Sequence, residues 1–377
     1  MLCSQLAYPT SFFSTTTGWR WVLLQESIGI SAMHIQTLKN SKVIIFDRTD
    51  FGFSNLSLPH DCTAHSVLYD IASNKIRPPN ILANTWCSSG AVDTNGTLIQ
   101  TGGDEKGERV IRAFIPCDDK SGDWVELSTP LLSRRWYASC QILPDGRIII
   151  VGGRTIYPKN SQIRDNIFLR FLVETKDPQE GKNFYPFLHL LADGNLFIFA
   201  NNRSILNFPC TGSSILLPLL LNKGTDMPEL PEAEVMICGG SKPSSYVKAY
   251  IEHGYNGASS TCGRLRETDP KLKCRMELMP TPRVMNDMIL LPTGAVIIIN
   301  GAANGTVGWN DAVNLVLYLP EKIPRMYHPT AALLPDGRIL ACLSNPHPTY
   351  NLTAYTYETD RVWRRFTRHM RTHWTHI

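Results

Sequence analysis

The chain has 377 residues, 43% of them hydrophobic, and a formal net charge of +4. A large buried core is therefore possible, and so small a charge argues against the basic surface of a nucleic-acid-binding protein. No apolar run approaches the roughly 20 residues that cross a bilayer, so we expect neither nucleic acid nor a membrane as a partner.

The two ends of the chain lack the pattern seen between them. Residues 1–17 hold a broken apolar run without a basic start, which makes a poor signal peptide, and they stay unassigned. Residues 356–377 are rich in arginine and show neither turn signals nor apolar alternation, which predicts a basic unstructured tail. One folded domain is therefore predicted over residues 18–355.

A hairpin pattern recurs between these ends in chain order. Each copy has two apolar or β-branched runs joined by a turn, and Asp-Gly, Asn-Gly or Thr-Gly at that turn is a strong hairpin signal. Five copies carry a turn glycine, at Gly96, Gly146, Gly194, Gly294 and Gly337. Two degraded copies, Ser31–Phe46 and Ser213–Gly240, bring the number of hairpins to seven.

The strands around these turns differ in their expected burial. The second strands Ile148–Val151 and Val296–Ile299 are apolar throughout, which predicts burial on both faces. Between hairpins the segments Ser66–Asp70 and Trp124–Leu127 read as outer strands, and the first resembles the kelch pattern. Each complete unit would therefore hold four strands.

Hairpins that recur about every 45 residues are typical of a β-propeller with four-stranded blades. The sequence predicts an all-β fold, a seven-bladed kelch-type β-propeller. The chain is short after Asn201 and before Pro324, so some blades are expected to be incomplete.

Chemically distinctive side chains share one register, nine residues before the turn glycine. Cys87, Tyr137, Tyr185 and His328 stand there, with Tyr327 just ahead of the last. The first strand of each blade lines the central channel, so these side chains are expected to converge near the axis. Imidazole and phenolate suit Cu(II), whereas ordinary core filling by tyrosine and cysteine explains the same residues without a metal.

Several short motifs around this register follow one another in a specific order. They are Thr85–Gly90, Arg134–Ser139, Tyr185–Phe187, Phe197–Arg203, Pro282–Met285 and Ile323–His328. With these motifs the chain resembles the plant glyoxal oxidase-like and galactose oxidase-like copper radical oxidases, over roughly Gly18 to Tyr350.

The resemblance implies a cofactor of copper together with a thioether-linked Cys87–Tyr137 pair that carries a tyrosyl radical. It implies Tyr137, Tyr327 and His328 as copper ligands, and Tyr327 as the group that takes the substrate hydroxyl proton. The implied reaction oxidises a glyoxal-type aldehyde or a primary alcohol and reduces O2 to hydrogen peroxide.

The family supplies a further histidine ligand from a C-terminal β-sandwich, and no histidine of this chain stands in that motif. The remaining candidates near the C-terminus are His347, His369, His373 and His376. The alternative hypothesis is therefore a catalytically inactive propeller, either a binding module or a degraded gene product.

The resemblance also implies an extracellular or cell-wall protein, expected to be a monomer. Glycosylation sequons occur at Asn55, Asn95, Asn202, Asn304 and Asn351. Among the ten cysteines, Cys262 and Cys274 are close enough in sequence to close a loop, and Cys62 and Cys117 are other candidates for a disulfide.

Two pairs of residues that flank the register have alternative interpretations. Arg134 and Arg135 could hold a carboxylated substrate at the channel mouth or could form contacts between blades. Trp86 and Trp136 could shield a radical from water or could serve as ordinary packing.

Overall fold

The computed structural model describes the chain over residues 19–117, 122–154, 184–200, 211–219, 230–242, 245–266, 274–305, 327–328, 330–342, 345, 349–350 and 363–368. Nearly all regular structure in these residues is antiparallel β-sheet. The exceptions are helix α1 (Ser245–Glu252) and a 3-10 turn at Glu105–Gly107.

The described residues form seven sheets, numbered here in chain order. Strand β1 (Trp19–Gln25) comes first in the chain and belongs to sheet 7. Sheets 1 and 2 have four strands each, namely β2 (His34–Thr37), β3 (Lys42–Phe46), β4 (Ser66–Asp70) and β5 (Lys75–Arg77), then β6 (Ser89–Val92), β7 (Leu98–Thr101), β8 (Ile111–Phe114) and β9 (Trp124–Glu126).

Of the other sheets, three have two strands and two have four strands among the described residues. Sheets 3 and 4 are two-stranded among the described residues, with β10 (Trp136–Ile142) and β11 (Ile148–Arg154), then β12 (Phe187–Leu190) and β13 (Leu196–Phe199). Sheet 5 has β14 (Gly212–Leu216), β15 (Glu234–Gly239), β16 (Thr261–Arg266) and β17 (Cys274–Leu278). Sheet 6 has β18 (Asp287–Leu290) and β19 (Val296–Ile299), and sheet 7 adds β20 (Thr330–Leu333), β21 (Ile339–Cys342) and β22 (Trp363–Arg368) to β1.

The first strands of successive sheets contact one another around a central axis. Strand β6 contacts β10, β10 contacts β12, and β12 contacts β14. In the same way β14 contacts β18, β18 contacts β20, and β20 contacts β2. The circle closes between sheets 1 and 2, where Met33 and His34 meet Cys87 and Ser88. The all-β propeller predicted from the hairpin repeat is confirmed, and every predicted hairpin is present as a strand pair.

Sheet 7 joins the two ends of the chain. Strand β22 lies between β21 and the N-terminal strand β1, with Trp19 opposite Arg368 and Gln25 opposite Trp363. The prediction of an unstructured tail is therefore wrong for residues 363–368, and the folded domain extends past residue 355. Backbone pairing with a strand more than 300 residues away orders this segment, although its sequence has no apolar alternation of its own. The rest of residues 356–377, and residues 1–17, lie outside the described part.

Strand β3 shows why the inner strands are apolar on both faces. Val43 and Ile45 pack toward sheet 7 against Leu340, whereas Ile44 and Phe46 pack toward sheet 2. Leu98, Phe114 and Trp124 complete the second of these clusters. Each fully buried side chain of this kind contributes about 1.5–3 kcal/mol, so packing between blades supplies much of the stability.

The same expectation is wrong for the two-stranded sheets. Residues Val296–Ile299 of β19 are only half-buried, and so are Ile148–Ile150 of β11. Among the described residues these sheets have no outer strands to cover them. Whether their blades are incomplete stays a prediction, because residues 155–183, 201–210 and 306–326 lie outside the described part.

The disulfide differs from the one that the sequence spacing favours. Cys238 bonds to Cys262, which lies directly opposite it across strands β15 and β16. Cys274, on the next strand, is not part of this disulfide, and neither are Cys62 and Cys117. The expected Cys262–Cys274 pairing is therefore wrong, because strand register places Cys238 nearer to Cys262.

A cavity of about 290 Å³ lies on the axis between the inner strands of sheets 1, 2, 6 and 7. Its polar lining includes His34, Gln100 and Asp287. The Asp287 carboxylate accepts a 2.6 Å hydrogen bond from Nδ2 of Asn300, and burial raises the pKa of Asp287 to about 7.

Within the described residues no helix is long and apolar enough to cross a membrane.

Removing strand β22 should destabilise the propeller. A chain that ends at residue 362 exposes the edges of β1 and β21, and open edges promote aggregation. We expect the soluble fraction to melt roughly 5–10 °C lower, from the loss of a few kcal/mol, measured by thermal denaturation. A chain that ends at residue 369 keeps β22 and is the matched control; equal melting of the two would contradict the closing role of this strand.

Asp287→Asn should change the pH dependence of stability. An unfolded aspartate titrates near about 4, whereas Asp287 in the fold titrates near 7, so the parent loses stability as pH rises between these values. The asparagine variant has no proton to lose there, and its amide oxygen can still accept from Asn300. We expect its melting temperature relative to the parent to rise from about pH 4.5 to about pH 7.5. A difference that is the same at both pH values would show that the folded carboxyl has an ordinary pKa.

Candidate active site

The residues of the predicted register share an unusual backbone conformation. Cys87, Tyr137, Tyr185, Met285 and His328 have φ values of 53°, 62°, 46°, 50° and 51°. Residues other than glycine rarely occupy this left-handed region, and they stay there only when the surrounding structure holds them. Each of the five lies one or two residues ahead of the first strand of its sheet or at its start.

Hydrogen bonds between neighbouring sheets hold these backbones in place. The amide of Tyr137 donates to the carbonyl of Cys87 at 3.0 Å, and the amide of Tyr185 donates to the carbonyl of Tyr137 at 2.8 Å. On the far side of the axis the amide of Met285 donates to the carbonyl of Thr211 at 2.7 Å. These three bonds fix sheet 3 to sheet 2, sheet 4 to sheet 3 and sheet 6 to sheet 5 at one level along the axis.

The structure brings the predicted site residues together. Cys87, Tyr137 and Tyr327 belong to one buried cluster, and their exposed fractions are 0%, 5% and 2%. The Sγ of Cys87 lies 3.8 Å from Nε2 of His328. The rings of Tyr327 and His328 meet edge to face with centroids 4.4 Å apart.

Aromatic side chains enclose Tyr137. Phe184 stacks on its ring at a centroid distance of 4.5 Å, and Trp136 lies 4.3 Å away at a tilted angle. Trp86 packs edge to face against Trp136 at 5.1 Å. These contacts show that the two tryptophans pack around Tyr137, whereas a role in shielding a radical from water stays a prediction.

Burial controls the protonation of the site. It raises the pKa of Tyr137 and Tyr185 well above the usual value and raises the pKa of the Cys87 thiol. It also lowers the pKa of His328 to about 3, so this imidazole is neutral at ordinary pH and its ring nitrogen can bind a cation. A cation that binds the phenols must therefore displace their protons.

The arginines around the cluster have assigned contacts. Arg48 pairs with Asp50 and lies 3.6 Å from the ring centroid of Trp86, close enough for a cation–π interaction. Arg134 forms a 2.9 Å ion pair with Glu108, and Arg135 donates to the carbonyl of Gly152 at 3.0 Å. These contacts favour the structural interpretation of Arg134 and Arg135.

A second cavity, of about 450 Å³, opens beside the cluster. Tyr185, His328 and Met33 contribute to its wall, as do His34 and His189. This volume lies within the range of small-molecule sites. A ligand in this cavity would contact the face of the cluster that carries His328.

Four members of the cluster were not predicted as site residues from the sequence, namely Met33, Phe51, Phe184 and Tyr350. Met33 follows Ala32, which stands nine residues before Ser41, the turn residue of the first degraded copy. Ser41 itself has the positive φ of a turn glycine, at 55°. Extending the register to that copy would have pointed to this segment.

The candidate metal donors in this cluster include phenolic oxygen as well as nitrogen and sulfur. Among the described residues, no three histidine, cysteine or acidic side chains lie close enough to hold a metal ion. The buried cluster instead offers two phenols, a neutral imidazole and a thiol, a nitrogen and oxygen set that fits copper. His347, His369, His373 and His376 lie outside the described part.

Comparison with known proteins agrees with this geometry. The chain is 38% identical over 392 residues to aldehyde oxidase GLOX of Vitis pseudoreticulata, covering 89% of this chain and 72% of that protein. It is 38% identical over 403 residues to aldehyde oxidase GLOX1 of Arabidopsis thaliana, covering 90% of this chain and 64% of that protein. The chain thus spans about two thirds to three quarters of the length of these relatives.

A solved structure shows the same fold. A fungal alcohol oxidase of the AA5 family, in complex with copper, superposes with a TM-score of 0.65 at 15% identity, over 94% of this chain and 77% of that one. The family described as Glyoxal oxidase N-terminus matches residues 33–369, a span that includes strand β22. The chain therefore belongs to the glyoxal oxidase N-terminal family.

Proposed function

We propose that this protein is a copper radical oxidase that oxidises an aldehyde or a primary alcohol and reduces O2 to hydrogen peroxide. The observation that carries the proposal is the convergence of the buried residues Cys87, Tyr137 and Tyr327 with His328 in a propeller of this family. These residues come from three sheets, so core packing alone would not require this combination of side chains at one level.

Tyr137, Tyr327 and His328 would hold the copper ion. Bound there, copper supplies Lewis acidity and accepts one of the two electrons removed from the substrate. The protein contributes a neutral imidazole, because burial keeps His328 unprotonated. It contributes two phenols whose protons leave as the metal binds, which makes copper affinity fall as pH falls.

Cys87 and Tyr137 would provide the second one-electron centre. In this proposal a thioether bond joins Sγ of Cys87 to a ring carbon of Tyr137; the S–H and C–H bonds break, and the two electrons and two protons released pass to O2, which is reduced to hydrogen peroxide. The residues are adjacent in the cluster, and the Tyr137 amide already donates to the Cys87 carbonyl. The rings of Phe184 and Trp136 cover Tyr137, which would protect an oxidised ring from water.

Tyr327 would act as the general base. A deprotonated phenol next to the bound substrate takes the hydroxyl proton of an alcohol or of an aldehyde hydrate. Its buried ring meets that of His328, which lines the larger cavity. A small substrate in that cavity could approach the ligand cluster from this side.

We also propose an extracellular monomer. The disulfide Cys238–Cys262 is typical of an oxidising compartment. The sequon residues Asn55 and Asn95 are exposed, as glycosylation requires.

Copper loading in air should produce the thioether bond. We expect the intact mass of the parent to fall by two hydrogens, about 2 Da, and peptide mapping to join Cys87 to Tyr137. Cys87→Ser should abolish the change, whereas Cys342→Ala, which alters an equally buried cysteine in the packing between sheets 1 and 7, should keep it. An unchanged parent mass after copper loading would contradict the radical centre.

Tyr327→Phe should lower turnover while the protein stays folded. Loss of a general base costs typically about 10²–10⁴-fold in rate. Peroxide formation from methylglyoxal and from galactose, expressed per bound copper, is the measurement. Tyr69→Phe is the matched control, since Tyr69 is as buried as Tyr327 but lies in the packing between sheets 1 and 7. A parent that binds copper but makes no peroxide from either substrate would favour the inactive propeller.

A further inference from the structure

The hydrogen-bond pattern between sheets is different at Cys87. At Tyr137, Tyr185 and Met285 the register amide donates to a backbone carbonyl of the preceding sheet. The amide of Cys87 instead donates to Sδ of Met33, at 3.4 Å. A thioether sulfur is a weak acceptor, so this position sacrifices a strong hydrogen bond. Because the acceptor is the Met33 thioether and not a carbonyl, a second sulfur atom lies beside Cys87.

Met33 is part of the site in two independent respects. Its side chain is 5% exposed and belongs to the same buried cluster as Cys87, Tyr137 and Tyr327. It also shares the wall of the 450 Å³ cavity with His328, whose Nε2 lies 3.8 Å from Sγ of Cys87. The Met33 thioether and the neutral His328 imidazole therefore both line the cavity, and the Cys87 thiol lies next to His328 and Met33.

Thiolate and thioether ligands select Cu(I), whereas nitrogen and oxygen ligands suit Cu(II). We propose that Met33, Cys87 and His328 form a cuprous-ion site in the chain whose Cys87 and Tyr137 are not yet linked, with Met33 as its thioether donor. This inference rests on the copper chemistry proposed above. Binding Cu(I) converts the Cys87 thiol to a thiolate and releases one proton, so the buried pair carries no net charge, which limits the cost of burial.

The site would change its preference once the thioether bond exists. Sγ of Cys87 then bonds to two carbon atoms and can no longer supply a thiolate. Met33 and His328 remain, and the phenols of Tyr137 and Tyr327 become the dominant donors. Met33 thus serves the unlinked protein more than the linked one.

The test compares metal affinities of the reduced, copper-free, unlinked chain, with linkage checked by intact mass. Cu(I) affinity is measured anaerobically by competition with bicinchoninate. We expect Met33→Leu to weaken Cu(I) binding about tenfold or more, the size of effect typical when support for a metal site is lost. Met279→Leu is the matched control, because Met279 has the same 5% exposure but lies in the core of sheet 5, and its affinity should equal that of the parent.

X-ray absorption at the copper edge gives a second measurement, which reports the copper ligands directly. The Cu(I)-loaded parent should show two sulfur neighbours, and the Cu(I)-loaded Met279→Leu protein should show the same. A single sulfur neighbour in the parent, or equal Cu(I) affinities for the parent and Met33→Leu, would overturn the role of Met33. If the thioether bond still forms in that case, the oxidase proposal stands. A parent that binds neither Cu(I) nor Cu(II) would overturn both proposals.

Discussion

The site depends on the backbone hydrogen bonds that join the start of one inner strand to the start of the next. A buried amide needs a partner, and at the end of a sheet its own sheet offers none. Tyr137 and Tyr185 meet this need by donating to the neighbouring sheet, with φ values of 62° and 46°. The left-handed conformation costs about 1–2 kcal/mol per residue, and the hydrogen bonds offset part of that cost. The side chains at this register consequently come to one level near the axis.

Burial then gives those side chains their chemistry. The same exclusion of water keeps His328 neutral and raises the pKa of Tyr137. A site of this kind is poised for a cation that can replace phenolic protons, because charge on the metal compensates charge on the oxygen. The rings of Phe184 and Trp136 cover Tyr137, whereas His328 lines the larger cavity.

Much of the fold could be predicted from local sequence. Turn glycines such as Gly146 lie between two paired strands, and a tight hairpin depends on no more than about ten neighbouring residues. Counting back from each turn glycine also located Cys87, Tyr137 and His328 in one cluster. The count works because strands of equal length start at equal heights in a propeller.

The failures share a physical cause, since each depends on partners distant in the chain. Strand β22 exists because β1 and β21 flank it, and nothing within residues 363–368 encodes that pairing. The disulfide joins Cys238 to Cys262 because strand register outweighs sequence spacing. Strand β19 is only half-buried although all its residues are apolar, because its sheet has no outer strands among the described residues.

By itself, then, the sequence determined the hairpins, their turns and the residue types at one register, since these follow from hydrogen bonds and steric limits within each copy. Only the tertiary structure decided how the propeller closes and what meets at its axis. Met33 shows the difference: its thioether reaches the Cys87 amide, 54 positions along the chain, because two sheets lie side by side. Such proximity is a property of the closed circle of sheets, and no single copy of the repeat contains it.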